Sequence, residues 1–91
     1  MAYVAFLKIV DAAKNQEARA AHLQYIGERY REDKVLMAGP FGDQSGGMVV
    51  YHNVTEEDAR RLAESDPAVT SGARTLTLIP WTILDFDATS S

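Results

Sequence analysis

Ninety-one residues, 46% of them hydrophobic and 24% charged, make one globular domain and leave no room for a second core. The net charge is −4 and the nine Lys and Arg residues are scattered, so the basic stripe that a nucleic-acid backbone requires is missing. No apolar run approaches the ~20 residues that cross a bilayer, residues 1–10 do not read as a signal peptide, and zero cysteines remove disulfides and thiolate chemistry. We therefore expect a cytoplasmic protein with no membrane partner.

Tyr3 to Val10 is rich in β-formers and predicts a strand. Asp11 to Lys14 reads as a connection, with Asn15 as the N-cap of a long helix reaching about Asp33. Leu23, Ile26 and Tyr30 recur along it at helical spacing. Lys34 to Ala38 predicts a second strand, closed by a Gly39-Pro40 turn. The loop Gly42–Gly47 leads into a third strand, Met48 to His52. Thr55 followed by Asp58 resembles a capping box opening a second helix, which Asp66-Pro67 stops. Ala68 to Gly72 is a connection, and Arg74 to about Leu84 is the last strand. Residues 1–84 form the domain and 85–91 a polar tail. The fold class is α+β: a ferredoxin-like β-α-β-β-α-β order with a four-stranded antiparallel sheet and both helices on one face.

Strand alternation predicts the assembly. Ala5, Leu7 and Ile9 face one side of the sheet, Val4, Phe6 and Val10 the other; Val49 and Tyr51 oppose Met48 and Val50; Leu76 and Leu78 oppose Ile79 and Trp81. Two helices cover one apolar face and leave the second, which a short polar tail cannot hide. A second copy using the same face covers it with two-fold symmetry, so a homodimer is expected. Roughly 600 Å² of apolar burial would contribute on the order of 15 kcal/mol before the cost of association.

Four segments together carry a resemblance: His22-Leu23, Leu36-Met37-Ala38-Gly39-Pro40, Asp66-Pro67-Ala68-Val69 with Gly72, and Leu78-Ile79-Pro80-Trp81. In this order they resemble the YCII-like (YciI-related) family over about residues 3 to 82. The resemblance implies a dimeric α+β barrel and an active site built on His22 and Asp66. It also implies, through a few relatives, dehydrohalogenation of hydroxylated aromatic rings. The chain departs in having Ala68 where a larger residue is common, and in a short Phe41–Gly47 loop.

His22 near the apolar stripe and Asp66 at a proline-fixed turn come from helices on the same face, so the carboxylate is expected to fix the imidazole's tautomer and leave its other nitrogen for substrate. The alternative is a structural clamp between two helices. Gly39 and Pro40 are expected to lie against the pocket by their backbone. Phe6, Met37, Phe41, Met48 and Trp81 are expected to line it for a flat apolar ligand, with Ser71 beside them. Lys8, on the barrel side of the first strand, is a candidate to meet an anionic substrate, against a plain snorkelling role. His52 reads as a surface residue. No ligand spacing predicts a metal, and no cofactor is expected. The two functional readings are a lyase- or isomerase-like proton-transfer enzyme acting on a small cyclic or aromatic metabolite, and a non-catalytic ligand-binding or interaction module. A cofactorless oxygenase or muconolactone-isomerase-like role rests on fold analogy alone.

Overall fold

A computed structural model describes residues 1–87. The elements run β1 (Ala2–Ile9), α1 (Ala12–Arg31), β2 (Val35–Pro40), β3 (Gly46–Tyr51), α2 (Glu56–Glu64), α3 (Pro67–Thr70) and β4 (Arg74–Trp81). The sheet order is β2-β3-β1-β4, and every neighbouring pair is antiparallel. This is the expected α+β, ferredoxin-like arrangement, with one short helix added.

Local chemistry explains where the boundaries differ from expectation. Asp11, not Asn15, caps α1: its backbone is extended and its Oδ1 accepts from the Lys14 amide at 3.0 Å. The stretch expected as a connection is thus the first helical turn, and Asn15 is free for another task. Gly39 and Pro40 end β2 instead of turning; Pro40 sits on an edge strand beside Gly47, where a missing N–H is tolerated. Thr55 caps α2, its Oγ1 accepting from Asp58 N at 3.1 Å, but Asp58 turns its carboxylate to Arg61 at 2.9 Å, so the capping box is not reciprocal. β4 stops at Trp81, paired with Ala2 at the start of β1; residues 82–84 have no strand left to pair with. Of the expected tail, residues 88–91 lie outside the described residues.

The principal core joins the helices to one sheet face, through Tyr3, Ala5, Leu7, Val35, Val49 and Tyr51 below and Ile26, Ala59 and Ala63 above. Ala59 and Ala63 are four residues apart, so one smooth stripe lets α2 settle onto the strands. A full burial such as that of Leu7 contributes about 1.5–3 kcal/mol. On the far face Ala2, Val4 and Val50 form a thinner cluster with Leu36 and Met48. Around it Phe6, Met37, Ile79 and Trp81 remain exposed.

The inward stripe of α1 differs from the expected one. Asn15, Ala18, His22, Tyr25, Ile26, Gly27 and Arg29 are the partly or fully buried positions, all but Gly27 at helical spacing. Leu23 and Tyr30 are 53% and 62% exposed. The tyrosine that packs inward is Tyr25, whose hydroxyl donates to Leu62 O at 2.7 Å and so ties α1 to α2. His22 therefore stands in the middle of the buried face, not at its margin.

Candidate functional site

The local structure that presents Asp66 begins with its backbone. Its extended conformation ends α2, and Pro67 follows at the first position of α3, where a missing N–H costs nothing. The side chain caps α3, with Oδ1 accepting from Ala68 N at 2.9 Å. Ala68 is itself buried, so a small residue at this position lets α3 sit close. From α1, His22 Nδ1 reaches Asp66 Oδ1 at 2.7 Å and Oδ2 at 2.9 Å. The Asp66 side chain is 1% exposed and that of His22 12%.

A carboxylate accepts only, so the proton between these groups is on Nδ1. Nε2 is then the basic nitrogen, and among the described residues it has no hydrogen-bond partner. His22 lines a cavity of about 240 Å³ between α1 and the β2–β3 side of the sheet. Leu7, Ala38, Gly47 and Val49 make its floor, and Arg19, Leu23 and Ile26 of α1 make its roof. Small floor residues make the space. A Cβ on Gly47 would meet Gly39 O at 2.8 Å, so only glycine lets β2 and β3 close there.

Arg74, the first residue of β4, stands at one end of the cavity. Its Nε donates to Asn15 Oδ1 at 2.8 Å, which is the task that Asp11's capping leaves to Asn15. Burial holds the Arg74 guanidinium below its ordinary range; the Asp66 carboxylate acts against that and the Arg19 charge adds to it. Burial pushes the Tyr51 hydroxyl well above the usual tyrosine range, and the Asp66 charge reinforces the effect. Tyr25 moves up for the same first reason, with Arg29 opposing it; the Arg29 guanidinium lies 4.6 Å above its ring.

The expected substrate-binding residues divide between the two faces of the sheet. Gly39 and Pro40 line the cavity; Met48 also borders it, but it pairs with Phe6 and packs in the far-face cluster with Val4 and Val50. Phe6, Lys8 and Trp81 do not line the cavity: they pair with Thr77, Thr75 and Ala2 on the face away from the helices, because their positions in the strands have the opposite parity to those of Leu7 and Val49. Met37 pairs with Val50 on that face, and Phe41 stacks on Phe6 with ring centres 6.5 Å apart. Ser71 caps the end of α3 and borders a separate, shallow depression with Lys14 and Glu17. Arg19 and Arg74 escaped the sequence reading. The signal for Arg19 was its place three residues before His22; nothing local marked Arg74.

Elsewhere, His52 Nε2 lies 3.1 Å from Asp33 Oδ1 on the surface. Among the described residues no three His, Cys, Asp or Glu side chains gather as a metal site, and no helix is long and apolar enough to cross a membrane.

Known proteins agree with this architecture. The chain is 36% identical over 67 residues to the uncharacterised protein YjpA of Bacillus subtilis (strain 168), an alignment covering 74% of this chain and 79% of that one. Its fold is similar to that of 5-chloro-2-hydroxyhydroquinone dehydrochlorinase (TftG) from Burkholderia phenoliruptrix AC1100, solved in complex with 2,5-dihydroxybenzoquinone. The TM-score is 0.74 at 18% identity, over 90% of this chain and 94% of that one. The model of the YCII-related domain matches residues 1–82, nearly all of the described chain, and the protein belongs to that family.

Proposed function

We propose that the chain is a cofactor-independent proton-transfer enzyme acting on a small cyclic or aromatic metabolite, with His22 as base and Asp66 as the group that holds its tautomer. One observation carries the reading: a fully buried carboxylate grips Nδ1 at 2.7 Å while the same imidazole borders a cavity. A base fixed in this way has its lone pair aimed before substrate arrives, which is worth about 10²–10⁴ in rate. Dehydrohalogenation suits the pair, and it is the reaction for which the structurally similar dehydrochlorinase is named. A substrate proton goes to Nε2, its bond electrons form the new π bond, and halide leaves with the electrons of its own bond. The elements of HX are lost, and no oxidant or reductant takes part. An isomerisation differs only in where Nε2 returns the proton.

The same reading includes a homodimer. Phe6, Ile79 and Trp81 are exposed on the face without helices, and a second copy laying the same face against it would cover them. A second functional reading, a non-catalytic binding or interaction module, is favoured by one detail: Asp66 Oδ1 also caps α3, so the pair would serve as a pin between α1 and α3 without any chemistry.

Halide release and solvent-deuterium incorporation, screened over halogenated and hydroxylated rings, separate the two. On the proton-transfer reading His22→Ala lowers turnover at least 10²-fold while the protein stays folded. Turnover that survives the substitution would remove His22 as the base, and a full screen with no turnover and a lowered melting temperature in the variant would establish the pin.

A further inference from the structure

We infer that the ligand of the His22 cavity carries a carboxylate, held by the free edge of Arg74 and closed over by Arg19. The inference rests on this cavity being the substrate site, and it adds the substrate's charge and the direction in which it lies.

The chain is acidic, with 13 carboxylate side chains against nine Lys and Arg, and four of its cations sit against them. Arg29, Lys34, Arg60 and Arg61 each lie within 4.0 Å of a carboxylate. Among the described residues Arg19 and Arg74 have no such partner, and both border the same cavity. Lys8, Lys14 and Arg31 also lack one, but none of them faces it. Two guanidiniums beside one small space repel each other, and Arg19 contributes to holding Arg74 below its ordinary range, after burial. The Asp66 charge opposes that of Arg19 at Arg74, but it makes no ion pair with either guanidinium: its oxygens are engaged by His22 Nδ1 and Ala68 N. An anion entering the cavity relieves the repulsion.

Geometry narrows the anion. Asn15 takes the Nε of Arg74 at 2.8 Å, which fixes the plane of the guanidinium and leaves its two Nη groups as one edge. That edge matches the two oxygens of a planar carboxylate. Arg19 lies one helical turn before His22 on α1, so it projects over the same space. The remaining walls, Leu7, Leu23, Ile26 and Val49, are apolar, and about 240 Å³ is smaller than the sites of drug-sized ligands. A single ring fills it. The bound molecule then has its carboxylate at Arg74, its ring on the apolar wall and its acidic hydrogen toward His22 Nε2.

The test titrates the isotope-labelled full-length chain with benzoate and the hydroxybenzoates, each against its matching amide and against phenyl phosphate, following backbone NMR signals around Gly47 and Arg74. Acids that saturate those signals about tenfold or more tighter than the amides are the expected result. Arg19→Gln, a change at an exposed position that leaves the fold alone, weakens the acids about tenfold and the amides little. Arg74→Lys, which keeps the charge and removes the fork, does the same. Equal affinity for acids and amides, no binding of any acid up to its solubility, or phenyl phosphate binding more tightly than every acid would each overturn the assignment. His22→Gln keeps the two failures apart. Acid selectivity with turnover unaffected by His22→Gln leaves the carboxylate site standing and removes the proton-transfer reading; turnover lost in His22→Gln with no acid selectivity does the reverse.

Discussion

The molecule contains two His–Asp contacts, and they differ in almost everything except their chemistry. His22–Asp66 closes at 2.7 Å with the carboxylate 1% exposed, while His52–Asp33 closes at 3.1 Å with the carboxylate 80% exposed. Asp66 caps a helix with the same oxygen that takes the imidazole proton. Asp33 shares its oxygens with Asn53, whose Nδ2 also donates to Asp33 O at 3.1 Å. The first pair therefore holds one geometry in a low-dielectric setting beside a cavity, and the second is a solvent-screened surface contact of small net energy. Identity of residue type says little here. Burial and second-partner bonding decide which pair is fit for chemistry.

The sharpest way to break this comparison is to delete each imidazole in turn. Once a turnover assay exists, His22→Ala is expected to lower the rate about 10²–10⁴-fold, whereas His52→Ala leaves it unchanged; equal losses would mean that burial does not distinguish the pairs. Deleting the carboxylate comes next. Asp66→Ala removes the partner of a buried imidazole and the cap of α3 together, and an expected loss of about 3–5 kcal/mol should be plain in urea unfolding. Asp66→Asn keeps an oxygen for Ala68 N and is expected to lose about 1–3 kcal/mol. If the two changes cost the same, the cap contributes nothing measurable.

How much of this could be read without coordinates depends on which force set each feature. Element order followed from period and punctuation; the His22–Asp66 pair was implied by the family resemblance, and the placing of both helices on one sheet face allowed the two groups to meet. The inward stripe of α1 did not follow, because apolarity favoured Leu23 and Tyr30 whereas the packed stripe carries His22, Tyr25 and Arg29, each satisfied by a specific partner. Asp11 and Asn15 are equally good caps by type; Asp11 won because β1 ends just before it, and Asn15 was then drawn to Arg74 across 59 positions of sequence. The faces of Phe6, Lys8 and Trp81 were readable from alternation. Which face holds the cavity was not, since it depends on the small floor at Ala38 and Gly47 meeting the roof of α1.

A third contrast concerns Tyr51, 1% exposed on the core face. Its hydroxyl is held above the ordinary value of 10.0 by burial first and the Asp66 charge second. The folded state therefore keeps a proton that the unfolded state releases above pH 10, so the stabilisation is complete below that value and is lost as pH rises beyond it. The expected slope is about 1.4 kcal/mol per pH unit for this one group. Urea midpoints measured from pH 9 to 12 should fall along that slope, and Tyr51→Phe should flatten the curve; an unchanged slope in the variant would assign the alkaline loss to other groups such as Tyr25.

The smallest effects belong to the surface pair, and they ask whether Asp33 matters through its charge or its backbone. Asp33 has φ +60 just after α1, and its N–H donates to Tyr30 O at 3.0 Å, a left-handed position that Asp, Asn and Gly tolerate better than other residues. Asp33→Asn keeps the conformation and removes the charge, and an expected change below about 0.5 kcal/mol would show that the contact with His52 contributes little. Asp33→Ala removes the charge and also forces a Cβ-bearing residue without a local polar contact into that region, for an expected loss of about 1 kcal/mol. Asp33→Gly removes the side chain but suits the dihedral, so it should fall on the Asn side of this comparison. If Gly and Ala destabilise alike, or if added salt changes the Asn result, the ion contact and not the turn is what holds this corner, and the energetic distance between the two His–Asp pairs is smaller than their burial implies.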